Sequence, residues 1–283
     1  MLNLTTRLRS RQNTSSMGAG MVNTLARLTL LLIAVTPAWA ETVADQRGYQ
    51  IAERTDRSDR GFHSSIADLT MVLRDASGNE STRALTIQTL EVSDPLLGDK
   101  SLILFNTPAD VRGTALLSHS RILEPDDQWL YLPALRREKR ISSANKSGPF
   151  VGSEFAFEDF TAQALEKYEY QYLRSEPCGE FVCDVVERRP KYAESGYTRQ
   201  ISWTDQNRSQ MVKVEFYDRR DTLLKTLEME DYRQYEGKFW RAHRLTMVNH
   251  LTGRSTDLVY SDYRFDTEFS DRDFEKSVLR RIR

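Results

Sequence analysis

The residues best spaced for covalent chemistry in this sequence are Ser143 and Lys146. They match S-x-x-K, the pattern in which a lysine can assist a nucleophilic serine in penicillin-binding enzymes. The companion S-D-N and K-T-G elements are absent, and Gly148-Pro149 follows closely, which is typical of a loop rather than a buried helix. We interpret the match as chance. A hydrolase that acts on a substrate of the cell envelope remains a hypothesis that ranks behind the two given at the end of this subsection. It requires that Ser143→Ala destroys an activity.

Metal and acid–base chemistry lack the residue clusters that they require. The four histidines are scattered, and none belongs to an H-E-x-x-H pattern: His63, His119, His243 and His250. Cys178 and Cys183 have no companion ligands at zinc-site spacing. We expect no metal, no cofactor and no catalytic residue, and we predict that the chain is not an enzyme.

The first forty residues are typical of a cleavable secretory signal. They contain no acidic residue and four arginines, at positions 7, 9, 11 and 27. An apolar run over residues 28–35 follows, and Ala38-Trp39-Ala40 matches an A-x-A cleavage site. A retained membrane anchor is the alternative, but the run is far shorter than the ~20 residues that span a bilayer. We predict cleavage near Ala40, a periplasmic location and a single domain over residues 41–283.

The two cysteines, Cys178 and Cys183, lie close together in the sequence. In an oxidising compartment a close pair of this kind forms a disulfide. A redox-active pair is the alternative, but it is more typically C-x-x-C at the start of a helix. We predict a structural disulfide, which stabilises the chain by roughly 2 kcal/mol through loop closure.

The charge distribution argues against nucleic acid as a partner. The chain has 40 Lys+Arg and 41 Asp+Glu, and the four charged residues of the signal are all basic. The mature chain therefore keeps 36 basic and 41 acidic side chains, a net charge of −5. Both signs are interspersed, so no basic stripe could track a phosphate backbone. We expect a monomer that binds no nucleic acid.

Short runs of alternating hydrophobicity extend from residue 65 to residue 265 and predict about a dozen strands. Leu69, Met71 and Leu73, for example, share one face of the first run. Parallel strands need crossover helices, and very little helix is predicted between these runs, so we expect an antiparallel sheet. The fold class is therefore mainly β, with one large sheet that curls around small helices or a ligand.

Two helical segments are predicted besides the strands. Residues 158–167 place Phe160, Ala164 and Leu165 for inward packing. The capping pattern at residues 270–273 precedes apolar residues at helical spacing. These are Phe274, Val278 and Ile282. Residues 46–59 are highly charged, so a short surface helix is the most that they predict.

Apolar and aromatic residues recur on strands that should be only half buried. An ordinary core between packed sheets is one explanation, and a concave sheet face that accepts an apolar ligand is the other. On the second explanation, the candidate groove residues are Ile103, Phe105, Leu116, Trp129, Tyr131, Phe155, Phe157, Trp203, Val214 and Phe216.

Two strings carry a family resemblance, GDKSLILFNTPADVRGTALLSHS and DDQWLYLPALRREKRIS, the second followed closely by NKSG. They resemble the bacterial outer-membrane lipoprotein-sorting proteins, which are related to the carrier LolA and to a treponemal LolA-like domain. The resemblance covers about residues 48–279. It implies an unclosed, half β-barrel with small helices across its mouth as a lid. It also implies carriage of a lipid, a lipidated molecule or another hydrophobic ligand, and a handover partner of the RND or MMPL exporter type in the inner membrane.

A basic cluster follows the aromatic strand: Arg136, Arg137, Lys139 and Arg140. It could receive an anionic headgroup or a partner, or it could be a solvated strand edge that discourages edge-to-edge pairing. Our first hypothesis is a periplasmic carrier of lipid or similarly hydrophobic cargo. The alternative is an accessory subunit that regulates an envelope transporter and carries nothing.

Overall fold

Thirteen strands in one antiparallel sheet dominate the computed structural model, which describes residues 38–94 and 96–282, with side chains from residue 42 onward. One long helix, α1, covers Ala38–Ser58. The first seven strands are β1 Ser64–Arg74, β2 Glu80–Leu90, β3 Leu97–Thr107, β4 Ala115–Arg121, β5 Asp127–Leu132, β6 Arg137–Arg140 and β7 Tyr168–Cys178. The others are β8 Phe181–Pro190, β9 Tyr197–Asp205, β10 Met211–Asp218, β11 Leu223–Tyr235, β12 Phe239–Asn249 and β13 Ser255–Phe265.

The N-terminal signal predicted for residues 1–40 lies outside the described residues, except that the backbone of residues 38–40 belongs to α1. Within the described part of the chain, no helix is both long and apolar enough to cross a membrane.

The strand order is β6-β5-β4-β3-β2-β1-β13-β12-β11-β10-β9-β8-β7. Two meanders are therefore joined at the centre of the sheet, where β1 pairs with β13 and Met71 lies opposite Leu258. β6 and β7 are consecutive in the chain but occupy opposite edges, so the sheet is not closed into a barrel. This confirms the predicted mainly β, antiparallel and unclosed fold.

The inner face of the sheet, defined here by Leu69, Met71, Leu85 and Ile103, carries the main core cluster. Side chains alternate across a strand, so every second residue contributes to this face. The register aligns these positions, with Leu85 opposite Leu69 and Phe105 opposite Leu85. Each buried side chain of this size contributes about 1.5–3 kcal/mol relative to exposure, so the inner face holds the strands together.

The connection from β6 to β7, residues 141–167, crosses the inner face because its two strands lie at opposite edges. Phe150 and Phe157 belong to the main core cluster. The ring centroid of Phe150 lies 5.6 Å from that of Phe105 on β3. One half of the inner face is therefore filled by the chain itself.

The helix predicted over residues 158–167 is replaced by two short 3-10 helices, Phe157–Phe160 and Leu165–Lys167. Thr161 is extended between them, so Phe160 packs on the main core cluster and Leu165 on a separate cluster beside Tyr168. A continuous helix could not point both side chains at their two different neighbours. The predicted inward packing of Phe160, Ala164 and Leu165 is confirmed.

The C-terminal segment also forms 3-10 helices, Asp271–Phe274 and Lys276–Arg281, in place of the predicted α-helix. It covers the outer face of β3–β5, where Phe274 and Leu279 are fully buried beside Leu117. The tighter 3-10 turn places Leu279, rather than the predicted Val278, deepest in this contact.

Helix α1 is longer than its charge predicts, and it packs along β7. Gly48 permits the close approach, since a Cβ there would lie 2.8 Å from the backbone N of Tyr172. Ile51, one turn later, is buried against Tyr170 and Val186. The charge of this segment predicts too short a helix because it does not reveal the contacts with β7, which include the ring pair of Tyr49 and Tyr170 besides those of Gly48 and Ile51.

Candidate functional site

A cavity of about 330 Å³ lies between α1, the connection at residues 162–165 and the inner face of the sheet. We call it the groove cavity. Its apolar lining includes Ile51, Phe62, Val186, Met211, Met229 and Tyr232. Helix α1 and the connection thus form two walls over a floor of strands, which matches the lid expected from the family resemblance.

The floor of the groove cavity is continuous with the inner face that carries the main core cluster. Val186 on β8 lies opposite Ser202 on β9, and Ser202 lies opposite Val214 on β10. Met229 on β11 lies opposite Leu245 on β12. These side chains therefore share one face, which is packed at one end and open at the other.

The rim of the groove cavity is acidic. Arg60 donates from Nε to Asp56 at 2.7 Å, and Glu91 accepts hydrogen bonds from the backbone N–H groups of Gly61 and His63. Asp99 accepts one hydrogen bond, from the backbone N–H of Val92 at 3.1 Å. Burial raises the pKa of Asp99 from 3.8 to about 6. The mouth of the cavity therefore contains a carboxyl group that takes up a proton in mildly acidic solution.

Seven of the predicted groove residues lie together on the inner side of the sheet but do not line the groove cavity. They are Ile103, Phe105, Leu116, Phe155, Phe157, Val214 and Phe216, and all are buried in the main core cluster. Phe155 and Phe157 belong to the connection at residues 141–167, and the aromatic rings of the connection cover the other five. The seven residues therefore form a packed core beside the cavity.

The three other predicted groove residues lie on the outer face of the sheet. Trp129 and Tyr131 pack in the cluster covered by the C-terminal segment. Trp203 lies near the other edge, where its Nε1 donates to Glu176 at 2.6 Å and the Lys213 ammonium lies 3.4 Å from its ring centroid. The structure does not bring these three residues together with the other seven, because a one-residue change of position along a strand reverses the face.

The residues that do line the groove cavity carry weak sequence signals. Met211 and Met229 are flexible apolar side chains that adapt to irregular ligands. Ile51 is an isolated isoleucine in a charged helix. Periodicity identifies such residues as half buried but cannot say which stretch of the inner face stays open.

The basic cluster lies at the β6 edge of the sheet and is exposed, with Arg136 in a left-handed turn at φ 47°. It meets the C-terminal segment, since Arg280 donates to Glu138 at 2.8 Å. This hydrogen bond, aided by the charge of Lys276, lowers the pKa of Glu138 to about 2. Two chain-distant basic segments thus form one surface.

The predicted disulfide is confirmed. Cys178 and Cys183 are bonded across the β7–β8 hairpin, with their Cα atoms 5.9 Å apart. Among residues 38–94 and 96–282, no three His, Cys, Asp or Glu side chains are grouped to hold a metal ion.

A family model with the description "-like: Uncharacterized protein" matches residues 98–281, more than half of the chain. No match is found among the curated proteins.

Solved structures similar to this chain share its fold over most of its length. An outer membrane lipoprotein-sorting protein domain from Vibrio parahaemolyticus is 47% identical, with a TM-score of 0.81, and the match covers 83% of this chain and 99% of that one. A DUF1329 family protein from Desulfovibrio piger is 29% identical, with a TM-score of 0.79 and the same coverage of both chains. A LolA superfamily protein from Nitrosomonas europaea is 24% identical over 82% of this chain and 98% of that one, with a TM-score of 0.66, which shows a shared fold.

Proposed function

This chain belongs to the family of outer-membrane lipoprotein-sorting protein domains, and from that membership we propose that it carries a hydrophobic molecule through the periplasm. The cargo class is a lipid, a lipidated molecule or another apolar compound, held without a cofactor and without catalysis. The mature chain, from about residue 41, acts as a diffusible monomer of one domain.

The observation that carries this proposal is the groove cavity itself. Its volume of about 330 Å³ falls in the range of ligand pockets, roughly 300–1,000 Å³. Its walls belong to α1 and to the connection, neither of which is part of the sheet, so a small shift of the less firmly held wall, α1, would admit an acyl chain. Each buried methylene of an acyl chain gains about 0.8 kcal/mol. A few contacts with Met211, Met229 and Ile51 suffice for reversible carriage.

Handover requires a partner that competes for the cargo or opens a wall. We include in the proposal an inner-membrane transporter of the RND or MMPL type, which the family resemblance implies. The exposed basic cluster at the β6 edge is the surface that we assign to that partner or to an anionic headgroup.

The proposal is tested by equilibrium binding of a fluorescent fatty acid to two cavity variants. Ala52→Trp fills the cavity from α1, and Met229→Asp places a charge on its floor; Ala52 and Met229 both line it. Val248→Asp is the matched control, because Val248 is 37% exposed and pairs in the same sheet on the opposite face. We expect at least tenfold weaker binding by both cavity variants and unchanged binding by the control. Equal affinity in all four proteins would exclude this cavity, with thermal unfolding showing that each is folded.

A non-carrying accessory subunit is the second candidate function, favoured by the packed half of the inner face. Five of the strand residues expected to form a groove are covered by the connection, which itself contains Phe155 and Phe157, so the space left for cargo is modest. This function predicts co-purification with a transporter by a protein that binds no fatty acid, whereas a carrier does both.

A further inference from the structure

A second pocket, of about 250 Å³, borders the same connection that forms a wall of the groove cavity. Glu158 and Lys167 line it, while Ala162 and Leu165, between them in sequence, line the groove cavity. Ile122 contributes to both spaces. We call this second space the lysine pocket, because Lys146, Lys167 and Lys191 all face it.

Lys146 is a buried ammonium without a carboxylate of its own. The residue is only 8% exposed, and its Nζ donates to the backbone oxygen of Asp126 at 2.5 Å. No ion pair involves Lys146 among the described residues. The nearby carboxylates are already taken, since Asp126 pairs with Lys167 at 2.6 Å and Asp127 pairs with Arg121 and Arg140.

A buried charge that lacks a counter-ion is costly, and an ammonium has three protons to donate. Burial lowers the pKa of Lys146. The carboxylate of Asp126, which is already paired with Lys167, opposes this only in part, and the positive charge of Lys167 lowers the pKa further. An anion that enters the pocket would supply the missing charge and accept the remaining protons.

Ser143 adds a second polar group to the same wall. It begins the 3-10 helix Ser143–Asn145, and the three-residue repeat of that helix places positions 143 and 146 on one side. The Ser143 hydroxyl has no hydrogen-bond partner among the described residues, Lys146 included. The two side chains that matched S-x-x-K thus share a pocket without forming a serine–lysine dyad.

The other charged groups of the pocket are accounted for separately. Glu158 accepts hydrogen bonds from the Gly196 N–H at 2.8 Å and the Ser195 hydroxyl at 3.0 Å, so its oxygens are engaged away from Lys146. Glu124, Glu166, Glu194 and Lys191 lie at the exposed rim. Ile122, Leu123, Pro125 and Tyr192 also line the pocket.

We propose that the lysine pocket binds the oxyanion of an amphiphilic cargo, a carboxylate or phosphate group, on Lys146 and Ser143. The apolar chain of that cargo would pass Ile122 toward the groove cavity. This inference rests on the proposed carrier function, specifies its ligand as an anionic amphiphile, and leaves the basic cluster at the β6 edge to the partner.

The test compares binding of laurate, methyl laurate and inorganic phosphate to wild type, Lys146→Met and Lys213→Met. The methionine side chain resembles the apolar part of the lysine side chain in length and carries no charge, so the buried site keeps its packing. We expect wild type to bind laurate at least tenfold more tightly than the neutral ester. Lys146→Met should lose that preference while it keeps its affinity for the ester. Lys213→Met, a control at a lysine on the outer face that lines neither cavity, should retain the preference within twofold. Ser143→Ala should weaken laurate binding less than Lys146→Met does.

Equal affinity of wild type for laurate and methyl laurate would overturn the anion site and leave the carrier function standing. A third outcome is that neither laurate nor methyl laurate binds, while phosphate raises the unfolding temperature of wild type and not of Lys146→Met. In that case the pocket binds a free oxyanion and the carrier function fails. Loss of the laurate preference in Lys213→Met to the same extent as in Lys146→Met would also overturn the assignment, because a general charge effect would then explain it.

Discussion

Asp99, at the rim of the groove cavity, is a carboxyl group whose ionisation the fold opposes. Burial raises its pKa to about 6, the nearby charge of Glu91 acts in the same direction, and the hydrogen bond from Val92 only partly compensates. Among the described residues, no cation lies within ion-pair distance of it. In mildly acidic solution the rim of the cavity therefore becomes less charged, which eases the passage of an apolar chain.

Asp99 predicts a specific pH dependence of stability. Its folded-state pKa exceeds the ordinary value of 3.8, so the folded protein binds more protons than the unfolded chain between about pH 4 and pH 6. The contribution of Asp99 to the free energy of unfolding is complete below this range. It is lost as the pH rises through 6, by up to ~3 kcal/mol. Asp99→Asn should raise the free energy of unfolding at pH 7.5 and flatten the profile. Denaturant unfolding of wild type and Asp99→Asn from pH 4 to 8 measures this effect. Parallel pH profiles of the two proteins would contradict the raised pKa of Asp99.

At the scale of elements, the connection at residues 141–167 decides how much of the inner face is open. Its rings fill the end near β3 and β10, and Lys225 on β11 holds it through a 2.8 Å ion pair with Asp159. The Tyr197 hydroxyl donates to the other oxygen of Asp159 at 2.8 Å. This buried, fully bonded carboxylate fixes the connection on the sheet and leaves α1 as the wall with fewer ties.

Removal of one ring from the connection should destabilise the whole protein. Phe150 is fully buried among aromatic neighbours, so Phe150→Ala is expected to lower the free energy of unfolding by about 3–5 kcal/mol. The control Leu135→Ala, at a residue 63% exposed, should change it by less than about 0.5 kcal/mol. Denaturant unfolding measures both, and a loss below about 1 kcal/mol for Phe150→Ala would mean that the connection is not part of the core.

The Cys178–Cys183 bond closes a very short loop at the end of an edge hairpin. Replacement of both cysteines by serine should lower the free energy of unfolding by roughly 2 kcal/mol, since short loops gain the least from closure. Fatty-acid binding should not change, because the hairpin end does not line the groove cavity. Loss of binding in the double variant would instead link the hairpin to the site.

For the molecule as a whole, the open sheet has two different edges. Helix α1 covers β7, whereas β6 presents the basic cluster next to Lys276, Arg280 and Arg281. This basic edge contrasts with the net charge of −5 expected for the mature chain. A charge asymmetry of this kind orients a protein at an anionic surface.

The basic edge should bind anionic vesicles in a salt-dependent manner. Each basic residue near such a surface contributes about 1 kcal/mol, so Arg137→Glu with Lys139→Glu should weaken binding to phosphatidylglycerol-containing vesicles by tenfold or more. The control, Arg220→Glu with Arg233→Glu, changes exposed arginines distant in the sequence and should keep most of the affinity. Co-sedimentation at low and high salt measures this. Equal binding by both double variants would show that the edge has no special role.

The sequence predicts the sheet well and the site poorly, for one physical reason. The alternation of apolar and polar residues along a strand involves only near neighbours in the sequence. It therefore identified the strands and the apolar strand faces that carry residues such as Leu69 and Met71. Which face is covered, and by what, depends on contacts between distant segments. The C-terminal segment covers Trp129 on the outer face, and Phe150, forty-five residues later in the chain, helps to bury Phe105 on the inner face. Neither contact has a local signal.

The central claim, that the groove cavity carries hydrophobic cargo, is tested most directly by native mass spectrometry of protein purified from periplasm without detergent. We predict a mass equal to the mature polypeptide plus one hydrophobic molecule for wild type, and the polypeptide mass alone for Ala52→Trp. Wild-type protein that shows only the polypeptide mass, and takes up no fatty acid when one is added, would contradict the claim.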